Sequence, residues 1–153
     1  MLFRSLIAGA ARRVFVLTLQ YCNDRTQFGR AIGKFQAVQH QLSVMAELVA
    51  ACHIAAQIGL SGDGDQPDRI PAAIAKSRTS QAAAAIAATA HALHGAIGIT
   101  EEYDLQLLTR RLHQWRMAHG SEAFWQPVVG AACLASAHAT VDFIRAVTDS
   151  RAP

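Results

Sequence analysis

A chain of 153 residues, 52% hydrophobic and only 16% charged, is long enough to bury a core and too apolar to stay disordered, so one domain over residues 1–150 is expected. The net charge of +3 is scattered along the chain without a block of five or six cations, which argues against a nucleic-acid interface. Cys22, Cys52 and Cys133 are odd in number, far apart and free of any Cys-x-x-Cys spacing, the pattern of reduced thiols in a cytoplasmic protein.

The first twenty residues contain Arg4 followed by an apolar run, but Arg12 and Arg13 interrupt that run and no cleavage-like break follows, so the segment reads as a helix and not as a signal peptide. Leu6, Ala10, Leu17 and Tyr21, with Ile7 and Val14 alongside, mark its apolar stripe. No stretch reaches the roughly 18 uninterrupted apolar residues of a membrane span, and no membrane contact is expected. Asn23 and Asp24 favour a turn, and Gly29 and Gly33 permit backbone angles that other residues resist. Val38, Leu42, Met45, Val49, Cys52, Ala56 and Gly59 then step by four and three, which predicts a bundle helix from Gln36 to Leu60.

A polar turn, SGDGDQPD, precedes a third helix capped by Asp68 and running to about Leu93, so rich in alanine that it reads as the inner helix of the packing. His94 to Thr100 form a glycine-punctuated loop. Thr100 is placed to cap a short helix with Glu101 and Glu102 in its first turn and Arg110, Arg111 and Arg116 in its last. After the interruption AHGSE, the residues Trp125, Val129, Ala132, Ala139, Phe143 and Ala146 predict one final helix, regular from Pro127 onward. The expected class is all-α, an antiparallel four-helix up-and-down bundle with one extra short helix and no strand.

Chemistry concentrates in three places. The first is Arg25, Gln27, Phe28 and Gly29, followed by Gln36; the second is HGAIGITEEY with LLTRR after it; the third is AHGSE. Read alone, Arg25 is a solvated turn cation and Phe28 a plug in the core. His91 and His94 share one side of a helix, but no Glu-x-x-His or zinc spacing occurs and no metal site is expected. No nucleophile-elbow pattern is present for a serine triad.

In their order and separation the three motifs resemble the C-terminal domain of the acyl-CoA dehydrogenase family. The resemblance implies an FAD cofactor shared between subunits of a homo- or hetero-oligomer, and an acyl-CoA substrate that loses a proton to a carboxylate base and a hydride to the flavin. It implies that Arg25 faces the pyrophosphate, that Gln27, Phe28, Ile32 and Gln36 line the cofactor, that Gly95 and Gly98 let the backbone approach it, that Ser121 offers a hydroxyl near the flavin, and that Arg4 lies near the substrate thioester. The family's glutamine and second glycine fall on Ala92 and Ala96. The usual catalytic glutamate falls on His119, the candidate base here, and its alternative location falls on Phe3; neither is a carboxylate. The family's N-terminal and middle domains have no counterpart in these 153 residues, so the isolated chain is expected to be inactive. The alternative is a non-catalytic scaffold subunit of a heteromeric acyl-CoA dehydrogenase.

Overall fold

The computed structural model describes residues 2–60 and 67–149, with the side chains of residues 2–4 and the glycine-rich turn expected at 61–66 outside the described set. Helix α1 (Leu2–Asp24) buries Ile7, Ala11, Val14, Thr18 and Cys22 in one line, with Leu6, Leu17 and Tyr21 half-buried beside it. Thr18 is tolerated there because its Oγ1 donates to the Val14 carbonyl at 2.8 Å, satisfying the hydroxyl inside its own helix. Helix α2 (Gln36–Ile58) buries Leu42, Met45, Cys52 and Ala56 along the expected seam.

Helix α3 (Arg69–His94) is the axis of the molecule. Ala73, Lys76, Ser80, Ala83, Ala87, Ala90 and His94 form one buried line and Ala75, Thr79, Ala82 and Ile86 a second, so α3 meets α1, α2, α4 (Leu105–Met117) and α5 (Glu122–Ala135) around its circumference. Alanine makes this possible: its methyl group lets backbones approach closely and loses no rotamer freedom in a helix. Helix α6 (Thr140–Thr148) closes the described chain, with Phe143 its buried residue.

Three contacts fix the directions. Tyr21 at the end of α1 donates to the carbonyl of His94 at the end of α3, Gln41 near the start of α2 shares a cleft with Ala92 and Leu93, and Lys76 near the start of α3 reaches the end of α4. The bundle therefore runs up and down about α3. One end gathers the 25–35 segment and the 95–99 loop, the other the Ala118–Ser121 turn. The 18 residues from Lys76 to His94 put these ends about 27 Å apart at 1.5 Å per residue.

The all-α class holds, with local differences. Thr26–Gln27 and Arg30–Ala31 form two short antiparallel strands, β1 and β2, where none was expected. The 94–100 loop is a 3₁₀ turn over Gly95–Ile99, and Thr100 closes it by donating its hydroxyl to Ile97 instead of capping α4, which starts later, after Asp104. Regular helix α5 begins at Glu122 and carries Pro127 in its interior. The expected final helix is two helices bent by 113°, because the Ser136 Oγ accepts the His138 amide at 3.1 Å and competes with the helical pattern. By length and composition α2 and the Arg69–Ile99 span are apolar enough to cross a bilayer, which a count of uninterrupted apolar residues did not register; both are packed bundle helices here.

Candidate functional site

The first candidate site is the hinge between α1 and α2. Gln27 pairs with Arg30, leaving a two-residue hairpin turn in which Phe28 has φ 52° and Gly29 φ 78°. Positive φ at both central residues suits the strand twist, and glycine adopts it freely; a phenylalanine does so only under strain. Phe28 is nonetheless 90% exposed, touching the edge of Phe35 with ring centroids 6.2 Å apart. It is not a core plug. Arg25 is exposed as well, and its guanidinium has no hydrogen-bond or ion-pair partner among the described residues. Its neighbour Arg30 is engaged, lying over the Phe35 ring at 4.1 Å.

The hinge is held rigidly from below. The Arg25 amide donates to Tyr21 and its carbonyl accepts the Ile32 amide, both at 2.8 Å. Gly33 passes so close to α1 that an added Cβ would lie 3.0 Å from the Cys22 carbonyl oxygen and from Asn23 Oδ1. Between this hinge, the start of α2 and the end of α3 opens a cleft of about 370 Å³ lined by Gln27, Phe28, Ile32, Phe35, Gln41 and Ala92 among others. Its aromatic and aliphatic walls with two amides can take a planar heteroaromatic group or an apolar chain.

The end of α3 supports the same cleft. His94 is buried, stacked on Tyr21 at 4.3 Å between centroids and tilted against Tyr103 at 5.1 Å, and its Nδ1–H donates to the Ala90 carbonyl. Burial holds its pKa below the usual imidazole value, assisted by His91 and opposed by the Ala90 contact. His91 bonds Thr109 at 2.8 Å, while His91 Nδ1 and His94 Nε2 are buried without a hydrogen-bond partner among the described residues. Gly95 has φ 65° and open space around its Cα, so it can be approached from outside. Gly98 is different: a Cβ there would meet His94, Leu105 and His91 at 3.0–3.3 Å, so its bareness serves the chain's own packing.

The second candidate site, at the opposite end, is the turn Ala118–Ser121. His119 has φ 56° and Gly120 φ 90°, again two residues on the left-handed side. The Trp125 indole donates to the His119 carbonyl at 2.9 Å, the Arg116 Nε donates to both Glu122 oxygens at 3.0 and 3.2 Å, and the Arg116 NH2 group completes the pair. Hydrogen bonding to Arg116 holds the Glu122 carboxyl below its ordinary pKa and raises that of the arginine. Glu122 is thus committed to the turn. Lys76, 7% exposed, donates to Ser80 Oγ at 2.9 Å and to the Trp115 and Arg116 carbonyls at 2.8 Å. Burial drags its pKa down to about 8, against the pull of Glu122 and with the push of Arg116.

The expected residues divide between the two ends. Arg25, Gln27, Phe28, Ile32 and Gln36 lie on the hinge and Gly95 at the same end of the bundle, after α3; Gln27, Phe28 and Ile32 share the cleft and Gln36 is the exposed first residue of α2. His119, exposed, and Ser121, the half-buried residue preceding α5, lie at the other end, with the first turn of α1 that carries Phe3 and Arg4, whose side chains are outside the described set. Lys76, Trp125, Phe35 and Gln41 were not expected as site residues from sequence. Lys76 had a readable signal, since it falls on the four-and-three line from Ala73 to Ala90 whose other members are alanines and a serine.

The described residues contain no group of three or more His, Cys, Asp or Glu side chains able to hold a metal. Comparison with known proteins supplies the family. The model described as "Acyl-CoA dehydrogenase, C-terminal domain" matches residues 2–134. Acyl-CoA dehydrogenase IpdE2 of Mycolicibacterium smegmatis is 38% identical over 105 residues, covering 69% of this chain and 32% of its own length. Butyryl-CoA dehydrogenase of Megasphaera elsdenii superposes with a TM-score of 0.78 at 26% identity over 86% of this chain and 35% of its own. The FAD complex of PigA superposes with a TM-score of 0.76 at 23% identity, over 84% and 34%, a likeness of fold. This chain spans about a third of the length of such relatives. The matched span, the fold and the ordered motifs together place the chain in the acyl-CoA dehydrogenase family, as its C-terminal domain.

Proposed function

We propose that this chain is the flavin-completing helical domain of an acyl-CoA dehydrogenase-type oxidoreductase, with its hinge directed at an FAD held mainly by a neighbouring subunit. The observation that carries this reading is Phe28, a bulky ring kept at φ 52° and 90% exposed beside a guanidinium without a partner among the described residues. Strain of this kind persists only when the surroundings enforce it, and it gathers at binding sites. The rigid seating of Gly33 and the Arg25–Ile32 backbone bond supply that enforcement.

The residues fit the cofactor. Arg25 brings a fixed charge and several donors to a pyrophosphate, Phe28 and Ile32 an apolar wall, Gln27 and Gln36 amides, and Gly95 an unobstructed backbone. When bound, FAD supplies the hydride acceptor for dehydrogenation of an acyl-CoA thioester. The chain's own residues bind and orient it. The separation of about 27 Å along α3 supports the hinge and the His119 turn meeting different parts of an assembly. The exposed apolar side chains Phe124, Leu134, Val141 and Ile144 on α5 and α6 are consistent with burial against other subunits.

A second reading is favoured by one observation. Position 119, where the family places its base, holds a histidine, and the adjacent carboxylate, Glu122, is bound by Arg116. A scaffold subunit without its own base accounts for both. The two readings separate in the assembled protein. If the chain provides the base, acyl-CoA oxidation falls in His119→Ala and survives in His119→Glu; if it is a scaffold, both variants retain the parent rate. Either reading requires flavin absorbance in the assembly, and its loss in Arg25→Gln tests both.

A further inference from the structure

We propose that Lys76 is the positioning residue of the His119 turn, fixing the end of α4 from which residues 118–121 project by holding the Trp115 and Arg116 carbonyls. The inference rests on the reading above only for the use to which the turn is put. The last four carbonyls of a helix have no partner within it and usually turn to water or to a glycine cap. Helix α4 has no glycine at its end: Ala118 leaves the helix with ψ 129°, and the carbonyls of residues 115 and 116 accept an ammonium group from another helix.

That ammonium is expensive to bury and its location is therefore informative. A methionine would fill similar volume on the inner line of α3. Lys76 instead donates three hydrogen bonds, to Ser80 and to the two carbonyls, and so ties α3 to α4 two residues before the turn. Arg116 continues the tie, since its carbonyl accepts Lys76 while its guanidinium binds Glu122 in the first turn of α5. The Trp125 indole then holds the His119 carbonyl, and Gly120 sits where a Cβ would lie 2.9 Å from Phe124. Two left-handed residues in succession need such bracing, and the chain provides it from α3, α4 and α5 together.

Lys34 and Lys76 are the only lysines in the chain, which permits a test without any variant. Under reductive methylation of the native protein, Lys34 should react at the rate of an exposed amine and Lys76 at least about tenfold more slowly, since its ammonium is buried and held by three acceptors. Reaction of Lys76 as fast as Lys34 overturns the proposal. In Lys76→Met, exchange at 118–121 and at the Trp125 indole should accelerate at least about tenfold while the Met45, Cys52 and Ile86 amides change less than about twofold. Equal acceleration at both sets marks a purely global role and contradicts the assignment. Flavin titration of the assembly is read separately: if FAD fails to bind while these exchange patterns hold, the functional reading fails and the positioning role stands.

Discussion

The hinge at Arg25–Arg30 and the turn at Ala118–Ser121 use the same backbone device and differ in what completes it. Each places a bulky residue and then a glycine on the left-handed side, Phe28 with Gly29 and His119 with Gly120. The turn is braced by its own chain, through Lys76, the Arg116–Glu122 pair and the Trp125 indole. In the hinge the backbone is fixed and the side chains of Arg25 and Phe28 face outward. The contrast separates a turn whose groups are held from within from a hinge whose side chains face outward, as the proposed cofactor contact requires.

The largest expected effect tests the bracing. Gly120→Ala forces a strained φ and places a Cβ against Phe124 and Trp125, so urea unfolding should show a loss of about 2–4 kcal/mol. Gly29→Ala has open space around it and should cost only the backbone strain, about 1–2 kcal/mol. Equal losses would erase the distinction between the two turns. Arg25→Gln should reverse the pattern: stability within about 0.5 kcal/mol of the parent, but flavin binding in the assembly weakened about tenfold to a hundredfold, as expected for a charge-assisted contact worth about 1.5–3 kcal/mol.

A smaller effect is expected from Glu122→Gln. Its pair with Arg116 is partly exposed, with side-chain accessibilities of 18% and 30%, so about 1 kcal/mol is at stake and the loss should shrink in high salt. The mildest effect concerns pH. His94 titrates below its unfolded value near 6.5, so the unfolded chain binds the extra proton first and stability should decline as pH falls from 6.5 through the lower folded value. Thermal melts between pH 7.5 and 5 should show this slope, and His94→Phe should flatten it.

Much of this is legible in the sequence. The α2 seam and the inner role of α3 followed from spacing and alanine content, and the hinge stood out because a cation, an aromatic ring and two glycines fall within nine residues between two helices. Other features were hidden for physical reasons. Lys76 stands on the inner line of α3, but the carbonyls that accept its ammonium lie 39 and 40 residues further along the chain, and sequence does not pair them. Pro127 suggested a helix start, yet the chain is already helical at Glu122, held there by Arg116 and by the Phe124 and Trp125 amides donating to Ser121. The break at Ser136 arose from a hydroxyl competing locally with the helix, a choice composition does not reveal. The sign of φ at Phe28 and His119 belongs to tertiary context as well.

The most direct test of the external partner is Phe28→Gly in the assembled protein, with melting temperature and FAD affinity measured on the same sample. Glycine relieves the left-handed strain and removes a ring that is 90% exposed, so the melting temperature should stay level or rise while FAD binds about tenfold more weakly. A lower melting temperature with FAD affinity unchanged would show that the ring serves its own chain, contradicting the account.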